Sequence, residues 1–219
     1  MAIVWLIRHG ESEANAGLAT AEPENIKLTQ KGHQQAQQIA SFFTEQPSLI
    51  VTSPFYRTKQ TAQPTIERFP SVPQAEWEIQ EFNYLATARR KNTTLAQRIP
   101  MAEEYWQRCD PFYIDGAGAE SFAQMMNRVH HLQKQIKQLQ EGFFVVFSHG
   151  MFMRIFLWSL LTNSVEDSAE NMRQSRILLD ILEMPNGAIL QLQIQDSQIW
   201  IGQLITSHLI NLTAFGNSD

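Results

Sequence analysis

Three short runs of the chain are apolar at almost every position: Ala2 to Ile7, Leu49 to Thr52 and Phe143 to Phe147. Runs of this length, rich in β-branched and aromatic residues, predict strands buried on both faces of a sheet. A different rhythm follows each of them. Ala36, Ile39, Ala40 and Phe43 recur at helical spacing and predict a helix from Thr29 to about Gln46, with Thr29 as its cap. After the second run, Ser53-Pro54 reads as an N-cap followed by proline at the first helical position. That helix is expected to run to about Gln63, where Pro64 interrupts it. Phe122, Met125, Met126, Val129, Leu132, Ile136 and Leu139 make the stretch from Glu120 to Gln140 a long amphipathic helix. Gly150 to Leu161 is apolar all round and predicts a buried helix. Ala188 to Ile194 and Gln198 to Ile205 alternate apolar and polar, and Asp196-Ser197 between them suits a hairpin.

Strands alternating with helices predict a three-layer α/β/α sandwich with a mainly parallel central sheet. One region breaks the alternation. From about residue 70 to 118 the chain carries Pro70, Pro73, Pro100 and Pro111 among several turn signals. Leu95, Ile99, Ala102 and Trp106 allow a helix there. This excursion is expected to leave the sheet and form a cap over one edge. No repeat, linker or low-complexity tract divides the chain, so residues 1–219 read as one domain carrying that excursion.

Composition narrows the picture. With 219 residues, 43% of them hydrophobic, the chain can bury a sizeable core. A net charge of -5 argues against a nucleic-acid partner, because phosphate-backbone binding needs a basic surface. Any anion site must therefore be a local cluster of cations. The single cysteine, Cys109, can form no internal disulfide, which fits a reducing compartment. The first apolar run has the length of a strand, not of a signal peptide. The run from Met151 to Leu161 contains Arg154 and is too short to span a bilayer. The expectation is a cytoplasmic protein with no membrane partner. Its oligomeric state is left open, a homodimer included.

The candidate chemistry lies where two strands stop. The first ends on Arg8-His9-Gly10, the third on Ser148-His149-Gly150. In a parallel α/β sheet, ligands sit beyond the carboxyl ends of the strands. Glycine lets the backbone bend or approach a ligand there. Each helix that follows offers N–H groups and a positive dipole end to an anion. His9 and His149 can thus flank one anionic group, with Arg8 beside them. The second strand leads to Arg57 in the first turn of its helix. Two guanidiniums at one site can clamp phosphoryl oxygens. His33, His130, His131 and His208 lack this placement and read as surface or capping residues. Neither of the two histidines sits at a ligand spacing such as H-E-x-x-H, so no metal or other cofactor is expected.

The ordered set R-H-G-E-S-x-x-N, L-T-x-x-G-x-x-Q-A, S-x-x-x-R-T-x-Q-T-A, A-E-S-F and F-S-H-G resembles the histidine phosphatase superfamily, also called the phosphoglycerate mutase-like family. The stretch Asn186 to Leu192 and His208-Leu209 resemble its closing strands. The resemblance implies a metal-independent phosphomonoesterase acting on a small phosphorylated metabolite. His9 would be the nucleophile, carrying the phosphoryl group. Arg8, Arg57 and a protonated His149 would hold the oxygens, with Asn15 and Gly150 binding substrate beside them. The proton donor of the family corresponds to Glu81, with Glu78 as the alternative. Glu120 would support the site or cap the long helix. Arg89-Arg90-Lys91 is the densest basic run of the chain; Arg89 and Arg90 either contact a second anionic group on the substrate or form a solvated turn. Tyr84, Tyr105, Trp106 and Tyr113 either line the pocket or belong to the core. A mutase-type phosphotransferase and a non-catalytic binder of phosphorylated ligands are the alternatives.

Overall fold

The computed structural model of the chain describes residues 1–164 and 166–209. Its centre is a six-stranded sheet in the order β3-β2-β4-β1-β5-β6. The strands are β1 (Ala2–Arg8), β2 (Leu49–Thr52), β3 (Gln74–Glu76), β4 (Gly142–Ser148), β5 (Ile189–Gln195) and β6 (Gln198–Ile205). Strands β3, β2, β4 and β1 run parallel; β5 and β6 add the antiparallel hairpin. Strand β4 is central, and its Phe143-Phe144-Val145-Val146-Phe147 core is buried on both faces.

Alternation along β1 divides the interior in two. Val4 and Leu6 pack with α5 (Phe122–Lys137) and α6 (Gly150–Thr162) on one side. Ile7 packs on the other side with Ile39 of α1 (Gln30–Phe42) and Ala62 of α2 (Tyr56–Arg68). This is the expected three-layer α/β/α sandwich. The cap over the rim adds α3 (Thr87–Arg90) and α4 (Leu95–Arg108), and α7 (Ala169–Ile181) lies against α6.

Several expectations need correction. The excursion begins after Glu76, not at residue 70, because Gln74 to Glu76 pair with β2. Helix α1 stops at Phe42. Helix α2 runs through Pro64 to Arg68, with Ala62 and Thr65 buried on either side of the proline. One lost backbone hydrogen bond is offset there by the packed face. Ser53 does not cap α2, whose N-cap is Phe55. His208-Leu209 form no strand; they lie in a turn after β6, where His208 Nε2 donates to Gly187 O at 2.9 Å. Thr29 does cap α1, accepting from Gly32 N.

Candidate active site

The register of the sheet builds the site. Each β1 residue pairs with the β4 residue 140 positions on, from Ala2–Gly142 to Arg8–Ser148. The next pair in that register is His9 and His149. Their ring centroids stand 5.1 Å apart, and both rings are buried. His9 N donates to Ser148 O at 3.0 Å, locking the two turns together. Gly10 is needed for this turn, since a Cβ there would meet Gly32 O at 2.5 Å.

The tautomer of His9 follows from its neighbours. Nδ1 lies 2.6 Å from Gly10 O, a carbonyl that only accepts, so Nδ1 carries the proton. Nε2 therefore holds the lone pair, and Arg57 Nε donates to it at 3.2 Å. Arg57 is buried, and its second anchor is Pro23 O at 2.7 Å. Burial first, and the other arginines after it, push Arg57 down to about 10. Arg8 donates to Met184 O, and burial lowers it too, opposed by the charge of Glu81.

His149 Nε2 is bound to Ser53 Oγ at 2.7 Å, and Ser53 also meets Thr58 Oγ1 at 2.9 Å. Among the described residues, His149 Nδ1 has no partner. Burial, then the charge of Arg57, holds both imidazoles well below the ordinary histidine range. That direction runs against the protonated His149 expected above, which a bound anion would favour.

Asn15 also faces the cavity. Its Oδ1 accepts from Ser12 N, Ser12 Oγ and Asn186 Nδ2 at 2.8 to 3.1 Å. The carboxamide is thereby oriented with its own N–H groups left for a ligand.

Glu81 lies on the cavity wall, whereas Glu78 is exposed and outside it. The Glu81 carboxylate accepts from Phe152 N at 3.1 Å and Met151 N at 3.3 Å. The start of α6, expected to receive a substrate anion, is thus filled by the protein's own carboxylate. Gly150 does not line the cavity either. It is glycine because a Cβ would stand 2.8 Å from Arg8 Nε, so it makes room for Arg8. Glu120 pairs with Arg128 at 2.6 Å, and Arg128 holds the carbonyls of Glu78 and Gln80 at 3.0 Å, bracing the segment before Glu81.

The adjacent arginines separate. Arg90 is buried and lines the cavity. Arg89 turns away, pairing with Asp115 and with Glu104. Arg89 thereby braces the cap outside the cavity lining. Tyr84 lines the cavity; Tyr105 and Trp106 are core, and Tyr113 lies under Arg108.

Ser53, Thr61 and Asn186 were not anticipated as parts of the site. Thr61 Oγ1 accepts from Gly10 N at 3.0 Å, and Asn186 Nδ2 donates to His9 O at 3.1 Å. Asn186 stood in the sequence only as the start of a stretch resembling closing strands, and the fold shows that it abuts the first histidine.

A pair of buried imidazoles with guanidiniums at parallel strand ends is chemistry suited to a phosphoryl group. Residues 4–197 match the histidine phosphatase superfamily, branch 1, and the chain belongs to that family. The Salmonella paratyphi C protein named "Probable phosphoglycerate mutase GpmB" is 27% identical over 166 residues, covering 72% of this chain and 74% of its own. The alpha-ribazole phosphatase of Shigella flexneri superposes with a TM-score of 0.68 at 21% identity, over 96% of this chain and 98% of its own. Phosphoserine phosphatase of Entamoeba histolytica, in complex with 3-phosphoglyceric acid, superposes at 0.72 and 22% identity, over 96% and 100%. The two structures share the fold of this chain. No described helix is long and apolar enough to cross a membrane. Among the described residues, no group of three His, Cys, Asp or Glu side chains could hold a metal ion.

Proposed function

We propose that the protein is a cytoplasmic, metal-independent phosphomonoesterase that works through a phosphohistidine at His9. One observation carries the reading: His9 presents an unprotonated Nε2, fixed by Gly10 O behind it and by Arg57 in front. In the first step the Nε2 lone pair attacks phosphorus and the P–O bond to the leaving group breaks. Arg8, Arg57 and Asn15 bind the phosphoryl oxygens as their charge spreads. With Nε2 held by Ser53 Oγ, His149 bears on the same oxygens through its otherwise unpartnered Nδ1. Glu81 is the group placed to give a proton to the departing alkoxide. In the second step water attacks phosphorus and yields a proton to Glu81. The P–N bond then breaks, restoring His9 and releasing phosphate.

Rapid mixing with a ³²P-labelled ester, quenched in alkali, tests this. Acid-labile label on the peptide containing His9 is expected, and none in His9→Ala. Label on another residue overturns the reading.

The names of the curated relatives favour a second reading, a phosphoglycerate mutase. Interconversion of phosphoglycerates dependent on a bisphosphoglycerate primer, at a rate above phosphate release, would establish it in place of the first.

A further inference from the structure

The protons around the second imidazole can be counted. A row of close contacts runs from the start of α2 to His149. Thr58 Oγ1 lies 2.7 Å from Phe55 O, Ser53 Oγ 2.9 Å from Thr58 Oγ1, and His149 Nε2 2.7 Å from Ser53 Oγ. Polar atoms this close need a proton between them. Phe55 O is a carbonyl and has none to give, so Thr58 directs its own proton there. Ser53 O, the other carbonyl that Thr58 reaches, at 3.2 Å, can only accept as well. Thr58 Oγ1 is left with lone pairs for its neighbour, and the Ser53 proton therefore goes to it. Ser53 Oγ then has two lone pairs. Phe55 N donates to one at 3.2 Å. The other faces His149 Nε2, and only the imidazole can supply that last proton. Ser53, Thr58 and His149 are all fully buried, which keeps bulk solvent out of the row.

The count gives the two imidazoles opposite tautomers. His9 has its proton on Nδ1 and offers Nε2, as a nucleophile must. His149 has its proton on Nε2 and offers Nδ1, which is buried and has no partner among the described residues. A lone pair there repels the oxygens of a dianionic phosphoryl group, whereas an N–H attracts them. The empty site resists that added proton. Arg8 and His9 at the end of β1, Arg57 of α2 and Arg128 of α5 all bear on the ring, and burial adds to them. The carboxylate of this wall, Glu81, is engaged by the first amides of the helix that His149 caps. An arriving dianion reverses the balance, because it brings the negative charge the ring lacks.

We propose that Ser53 and Thr58 are positioning residues that fix His149 as the Nε2–H tautomer, so that the site takes up a proton at Nδ1 when it binds a tetrahedral dianion. The inference rests on the phosphatase reading for where the anion sits; the tautomer is a property of the free protein. The site thus recognises a phosphoryl group together with a proton, and its affinity for the dianion falls as pH rises.

NMR of the full chain labelled with ¹⁵N-histidine reads the tautomer directly. His149, assigned by its absence in His149→Asn, is expected to show a protonated Nε2 and a bare Nδ1. Inorganic sulfate is the probe for the second half, because it carries no proton of its own near neutral pH. Calorimetry at about pH 6.5, in buffers of different ionisation enthalpy, should show uptake of about one proton per sulfate bound. Where only the bound ring is protonated, the dissociation constant should rise about tenfold per pH unit. Thr58→Val removes the acceptor of the Ser53 proton, which can then turn to His149 Nε2. The ring should switch to Nδ1–H and donate without charging, and uptake should fall at least about twofold. Thr58→Ser should keep both tautomer and uptake. A substitution that merely loosened the fold would weaken sulfate binding and leave the proton count alone. An Nδ1–H tautomer in the free wild type overturns the inference, and does so even if Thr58→Val fails to fold. So does an uptake near zero, or one that persists in His149→Asn, which would put the proton on His9 or Glu81. Absence of a phosphohistidine at His9 would refute the phosphatase reading alone and leave tautomer and proton count to decide this one.

Discussion

The strand ends and the cap hold their arginines by opposite means. At the strand ends, His9, His149 and Arg57 are fixed by sheet register, by a glycine turn and by a buried first helical turn. At the cap, Arg90 sits on a four-residue helix, steadied by Asn83 and by Arg89's grip on Asp115 and Glu104. The first end is placed by backbone, the second by polar side chains. Sub-ångström placement is what bond making needs, whereas recognition of a leaving group survives looser support. The reaction should therefore be brittle at the rim and adjustable at the cap.

His9→Ala is the sharpest test of that contrast. It should lower kcat by about 10⁴-fold or more, as loss of a nucleophile does, measured as phosphate release from 4-nitrophenyl phosphate. A cap substitution with an equal loss on this small ester would erase the distinction. Glu81→Gln should come next. A drop of about 10²- to 10⁴-fold is expected on alkyl phosphates, with aryl phosphates far less affected because their leaving groups need little proton help. Equal losses on both would remove Glu81 as the donor. Arg57→Ala should cost about 10²- to 10³-fold in kcat, the size seen when one donor to a developing charge is removed.

Smaller effects fall on stability. His9 and His149 are held below the ordinary histidine range, mainly by burial. The unfolded chain thus takes up protons near pH 6.5 that the folded chain refuses. Stability is full above that pH and is lost as pH falls toward the lowered folded values. The slope is at most about 1.4 kcal/mol per pH unit for each imidazole. Urea midpoints at pH 7 and 5.5 should show it, and His149→Asn should flatten it. An unchanged slope would mean that His149 is not one of the titrating groups. Smallest is Arg89→Ala, which should loosen the cap by about 1 kcal/mol, a fall in Tm of about 2–4 °C. A selective loss for substrates with a second anion, without a fall in Tm, would instead make Arg89 a binding residue.

The same contrast explains what could be read from the sequence. Parallel strands buried on both faces leave long apolar runs, so β1, β2 and β4 were legible, and so were the histidines that end them. Arg57 was legible because a helix start after a strand has few ways to point. The short β3 was missed: three residues at a sheet edge, two of them exposed, leave no hydrophobic signal. Helix α7 was missed because its pattern carries only three buried positions, Met172, Ser175 and Leu179. The separation of Arg89 from Arg90 was invisible, since it depends on Asp115 and Glu104, which only the folded cap brings near. The filling of the α6 start by Glu81 was hidden for the same reason, lying 70 positions from the amides it meets.

The alignment of β1 with β4 has a consequence for how such a protein can change. Whatever chain connects the two imidazoles contributes nothing to their spacing. Insertions, deletions or replacement within the cap helices α3 and α4 can remodel what the enzyme recognises while the reacting atoms keep their places. Evolution, or a protein engineer, is thus handed a fixed motor with an exchangeable grip.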